Sequence, residues 1–186
     1  MINRQSEANL LYRAKALDMQ ALGDIYDCYS PGLYAYAMRM LGDECMAEEC
    51  VAETFSRFLK SIHAGQGPDK HLQAYLYRIA HNWITDYYRR QPPPSLELSE
   101  NLHAEEEIQP EAQVNRRMEQ DRVRSALRLL TPDQRQVIVL RFIEGWENED
   151  VAVAVKKPVG AVKALQHRAL ATLRKLLLQG SEGKPT

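Results

Sequence analysis

No stretch of this chain is apolar over anything near the roughly 18 residues that a membrane-spanning helix needs, and Met1 to Leu10 is too polar for a secretory leader. A cytoplasmic location is the expectation. Cysteine is scarce: Cys28, Cys45 and Cys50 are an odd number without a C-x-x-C pair, which argues against a disulfide framework and leaves reduced, mostly buried thiols. His63, His71, His81, His103 and His167 show neither H-x-x-x-H nor H-E-x-x-H spacing, so no metal site is read from them. A phosphate-cradling glycine loop and a nucleophile elbow are missing too. The carboxylates lie on helix faces or in a linker rather than as a convergent pair. An enzyme is therefore not expected, nor a cofactor. Alternation of apolar and polar residues at the strand period is also lacking.

What is present is charge, unevenly spread. The formal net charge of −1 averages a near-neutral front, an acidic middle and a basic rear. Between Gln91 and Asn115 lie Glu97, Glu100, Glu105, Glu106, Glu107 and Glu111 and no lysine or arginine. Between Lys156 and Lys175, by contrast, lie Lys156, Lys157, Lys163, Arg168, Arg174 and Lys175 and no carboxylate. A local positive field of that kind suits a phosphate backbone even where total charge is near zero.

The fold class read from this is all-α: two small helical domains joined by an acidic flexible linker, the second carrying a helix-turn-helix. The prolines of Gln91-Pro-Pro-Pro-Ser95 stop any preceding helix, having no amide donor and a fixed φ. The expected bounds are 5–91 for the first domain, 92–111 for the linker and 112–179 for the second. In the first, Val51, Phe55, Phe58, Leu59 and Ile62 define one buried helix face, and Leu72, Leu76, Ile79 and Trp83 another. The segment from Ala8 to Leu41 is expected to hold two helices broken near Ser30-Pro-Gly32. In the second domain Val123, Leu127 and Leu130 close a helix. Thr131-Pro-Asp-Gln134 then offers a capping box with proline at the first helical position. A helix ending near Gly145, a short helix from Asn148 to Val155, a turn and a long helix from Pro158 through Leu176 complete the helix-turn-helix order.

In such a motif the second helix enters the major groove. Lys157, Ala161, Lys163, Ala164, His167 and Arg168 would face away from the Val162, Leu165 and Ala169 core stripe. Cations would hold phosphates, and the alanines would permit close approach. A solvated basic helix in an unrelated bundle would show the same spacing. In the front domain Tyr75, Tyr77, Trp83, Tyr87 and Tyr88 are interleaved with Arg78, Asn82, Asp86, Arg89 and Arg90. Rings that stack on bases beside cations that hold the backbone suit unpaired nucleic acid, while core filling explains the same composition. His81 fits contact with DNA or solvent better than with a metal.

Several of these segments resemble the extracytoplasmic-function group of bacterial sigma factors, in the sigma-70 family. Tyr75-Leu-Tyr-Arg-Ile-Ala-His-Asn-Trp-Ile-Thr-Asp-Tyr-Tyr-Arg-Arg90 is similar to that group's promoter-melting segment, and Ala47-Glu-Glu-Cys-Val-Ala-Glu-Thr-Phe55 to its polymerase-binding segment. Leu130 to Phe142 and Gly160 to Ala169 resemble its promoter-binding domain. The resemblance implies an initiation factor that joins core RNA polymerase and promoter DNA, any chemistry belonging to the polymerase. Glu48, Glu49, Glu53 and Thr54 would be exposed polymerase contacts, with Phe55 beneath them. Tyr75, Arg78, Asn82, Trp83, Asp86, Arg89 and Arg90 would engage a melted −10 element, and the loop from His63 to Lys70 would capture a base. The helix from Lys157 to Arg168 would read a duplex −35 element, and the acidic linker would thread toward the RNA exit path. An anti-sigma factor is a further implied partner. Lys156 stands where the group commonly has glycine, Glu147 where a serine or threonine cap is usual, and Leu165 in place of an arginine. A stand-alone helix-turn-helix regulator is the alternative; it would leave Glu48, Glu49, Glu53 and the aromatic segment without roles.

Overall fold

The computed structural model describes residues 4–90, 123 and 125–179, so the acidic segment read as a linker lies outside the described residues. Among those described the regular structure is helical, and no helix is long and apolar enough to cross a membrane. Helices α1 (Arg4–Lys15), α2 (Met19–Leu41), α3 (Glu44–His63) and α4 (Leu72–Arg90) form the front bundle. The rear bundle has α5 (Pro132–Ile138), continued by a π turn over Val139–Ile143, then α6 (Asn148–Val155) and α7 (Val159–Gln179).

The first break falls earlier than the proline suggested. Leu17 adopts a left-handed φ of 59°, and Asp18 caps α2 by accepting from the amides of Gln20 and Ala21 while pairing with Arg13. Leu17 is exposed there. Helix α2 then runs unbroken through Pro31, whose ring lies at the solvent face, so the helix gives up one amide without a buried clash. Gly32 serves packing: a Cβ there would sit 2.8 Å from the Tyr77 hydroxyl. Leu59, expected on a buried helix face, is exposed, as is Val123.

The two bundles pack on each other. Tyr77 of α4 and Trp146 lie 4.8 Å apart between ring centroids, joining the apolar clusters of the two halves. Around them Arg39 pairs with Glu144, the Arg128 guanidinium donates to the Leu41 carbonyl at 3.3 Å, and Arg135 lies 5.0 Å over the Tyr88 ring. Arg135 is itself buried, donating to the carbonyls of Leu127, Arg128 and Leu130 at the end of the preceding helical turn. Burial holds the Glu144 carboxyl above its usual range despite Arg39.

Candidate nucleic-acid interface

Helix α4 divides its residues into three stripes. Tyr77, His81 and Ile84 are buried, with Tyr88 donating its hydroxyl to the Met40 carbonyl. The His81 ring meets the Tyr36 hydroxyl through Nδ1 at 3.1 Å and Thr85 Oγ1 through Nε2 at 3.3 Å. Burial pulls its pKa down to about 4. His81 is thus a neutral core group, which corrects the expectation that it contacts DNA or solvent. A second stripe, Tyr75, Ile79, Trp83 and Tyr87, recurs every four residues and is half-buried. Trp83 and Tyr87 stack with centroids 5.6 Å apart and planes within 7°. Trp83 was expected on the buried face, but Ile84 fills that place. The third stripe is Arg78, Asn82, Asp86 and Arg89; Asn82 and Arg89 are exposed, Arg78 and Asp86 are half-buried, and exposed Arg90 follows.

These stripes put flat rings beside cations. Arg78 lies 4.9 Å over the Tyr75 ring, Tyr75 packs edge-on against Phe58, and its hydroxyl donates to Ser61 Oγ at 2.9 Å. Asp86 pairs with Arg89. Tyr87, read from the sequence among the interleaved aromatics but not among the −10 contacts, joins the ledge through its spacing of four from Trp83. The loop from α3 to α4 closes tightly, with amides of Gly65 and Gln66 bonding to the carbonyls of Ile62 and Ser61 at 2.9 and 2.8 Å. A Cβ on Gly67 would meet Ile62 Cδ1 at 2.5 Å, so this glycine lets the loop lie directly on α3.

The rear surface is built on α6 and α7. Thr131 and Gln134 exchange both capping-box bonds at the start of α5. Val162, Leu165 and Ala169 are buried against the bundle, and Gln166 Nε2 donates to Asn148 Oδ1 at 2.6 Å, tying α7 to the start of α6. Lys156 takes a left-handed conformation (φ 52°, ψ 44°), and the Lys157 amide reaches back to the Ala152 carbonyl. Glu147 supplies no side-chain cap to α6. Lys163, Ala164, His167 and Arg168 are exposed, whereas Ala161 and Lys157 are half-buried and Lys157 Nζ lies 3.1 Å from Asp133. This leaves a shallow ridge with small residues between cations.

A third surface lies on α3. Glu48 and Glu49 are exposed, and Glu53 accepts from Arg57 Nε at 2.7 Å. Phe55 is buried against Tyr26, ring centroids 4.8 Å apart. Thr54, expected as an exposed contact, is fully buried and donates to the Cys50 carbonyl at 2.7 Å, so its hydroxyl is spent on its own helix. An open groove of 490 Å³ runs beside Glu48, lined by Tyr26, Ser30, Pro31, Tyr34 and Val51. The spacing of four from Tyr26 through Ser30 to Tyr34 was the signal for this face of α2. Of the thiols only Cys50 is buried, its pKa pushed up to about 12 by burial; Cys28 and Cys45 are exposed, against expectation.

Comparison with known proteins agrees with this arrangement. Residues 25–92 match Sigma-70 region 2 and residues 120–173 match Sigma-70, region 4. The chain is 34% identical over 170 residues to ECF RNA polymerase sigma factor BldN of Streptomyces coelicolor, covering 90% of this chain and spanning 64% of that relative's length. It is 30% identical to ECF RNA polymerase sigma factor EcfG of Rhodopseudomonas palustris, covering 82% of this chain and 83% of that one. The structure of CnrH in complex with the cytosolic domain of CnrY superposes with a TM-score of 0.68 at 27% identity, covering 91% of this chain and 96% of that one. With two sigma-70 regions in order and relatives of one group across most of its length, the chain belongs to the extracytoplasmic-function sigma factors.

Proposed function

We propose that the protein joins core RNA polymerase and directs promoter recognition and melting through a front domain of residues 5–91 and a rear domain of residues 112–179, with 92–111 linking them. The observation that carries this is the division of α4: a half-buried aromatic ledge (Tyr75, Trp83, Tyr87) runs beside a polar row of half-buried Arg78 and Asp86 and exposed Asn82 and Arg89. Unpaired bases of the −10 element stack on such a ledge while the arginines and Arg90 hold the backbone. In the rear domain Lys163, His167 and Arg168 grip a duplex −35 element, with Lys157 at the edge and Ala161 and Ala164 allowing close approach. Glu48, Glu49 and Glu53, with the neighbouring groove, form the polymerase contact; Thr54 and Phe55 support it from below. Binding energy, not nucleotide hydrolysis, opens the duplex. A protein of anti-sigma type is a further partner on this reading; the similar CnrH forms a complex with the cytosolic domain of CnrY.

The test is co-elution with core polymerase and promoter-specific run-off transcription. Glu48→Lys with Glu49→Lys should abolish co-elution while leaving helicity and duplex binding intact. Duplex binding by the wild type without co-elution or run-off would favour a stand-alone regulator and sink the reading.

A further inference from the structure

Helix α1 precedes the residues that match Sigma-70 region 2, yet it reaches the loop beneath the aromatic ledge. The reason lies at the start of α4. His71, the residue before that helix, has a left-handed φ of 57°, a conformation strained for a residue with a Cβ. The first amide of α4 is instead satisfied from a distance of 65 residues: Glu7 Oε1 accepts from the Leu72 N–H at 3.0 Å. The other carboxylate oxygen accepts from the Tyr29 hydroxyl at 3.1 Å. Burial, with the Glu7 charge second, holds Tyr29 protonated far above its ordinary range. A second tie joins the same elements, from Lys15 of α1 to Asp69 in the loop.

One carboxylate thus joins α1, α2 and α4 at the point where loop 64–71 ends and Tyr75 begins. On the reading given above, Tyr75 belongs to the ledge on which an unpaired base of the −10 element stacks, and the loop leads directly into its helix. We propose that Glu7 is a positioning residue for capture of the unpaired base, fixing the loop and the first turn of α4 before DNA arrives. A base entering a preset site meets less ordering cost than one that must organise the loop itself.

The experiment uses full-length protein assembled with core polymerase and three readouts: core affinity, affinity for a duplex −35 fragment, and affinity for a single-stranded −10 oligonucleotide. Glu7→Ala is expected to weaken single-strand binding about tenfold and to leave the other two within about twofold. Glu7→Gln keeps an acceptor for the Leu72 amide and should recover most of the loss. Tyr29→Phe keeps the ring and releases one tether, for a loss of about threefold. Equal loss in all three readouts would make Glu7 merely structural and overturn the proposal, as would unchanged single-strand binding in Glu7→Ala. If the wild-type holoenzyme captures no single strand, the promoter-melting reading fails first and the proposal goes with it.

Discussion

The contact between the two bundles should open when the promoter is engaged, and a charge swap across it tests this. Elements numbered −10 and −35 lie roughly 25 base pairs apart, about 85 Å along B-DNA at 3.4 Å per pair. A chain of this length packed as one body has a radius of gyration of about 16 Å and is about 40 Å across. Packed as described, the molecule cannot grip both elements of an extended duplex. Arg39 and Glu144 pair at the edge of the contact; the Glu144 side chain is 13% exposed and that of Arg39 41%. Solvent at Arg39 limits the attraction to about 1 kcal/mol, and Glu144→Arg replaces it with a repulsion of similar size. The swing of about 2 kcal/mol moves the closed-to-open ratio roughly thirtyfold. Small-angle scattering of the free protein should show a larger radius of gyration for Glu144→Arg, and the combined Arg39→Glu and Glu144→Arg variant should return to the wild-type value. Holoenzyme carrying Glu144→Arg should bind a two-element promoter at least as tightly as wild type. An unchanged radius in the single variant, or no recovery in the double, would refute the argument.

Three further outcomes are expected. His81 is held neutral in the fold with its pKa near 4, while in the unfolded chain it takes up a proton near its ordinary value of 6.5. Its contribution is therefore complete above about pH 6.5 and lost as pH falls toward 4. Denaturant titrations at about pH 7 and about pH 4.5 should differ by roughly 2 kcal/mol from this group, a difference that His81→Gln removes; Glu144, its carboxyl raised, acts with the opposite sign. Lys156→Gly relieves a left-handed backbone and should stabilise the rear domain by up to about 1 kcal/mol, read as a raised thermal midpoint; a lowered midpoint would show that Lys156 is not strained there. Arg168→Ala should weaken duplex binding across sequences and lower the salt-dependence slope by about one, whereas an unchanged slope would place Arg168 off the phosphates.

Periodicity and punctuation were enough to determine the helical class, the capping box at Thr131 and Gln134, and the limits of the short helix from Asn148 to Val155. These are local: a helix face repeats every three or four residues, and a cap is satisfied within one turn. The left-handed Lys156 was signalled only by the resemblance to a group that commonly has glycine at that position. Tertiary structure decided what depends on distant partners. Pro31 reads as a breaker until its ring is placed at the solvent face, and His81 reads as polar surface until Tyr36 and Thr85 enclose it. Thr54 and Trp83 lay within one residue of a stripe boundary, where only packing determines which face turns inward. The pairing of Arg39 with Glu144, and the reach of Glu7 to the first amide of α4, leave no periodic trace. Each joins residues far apart in the chain, and nothing in the intervening sequence encodes their separation in space.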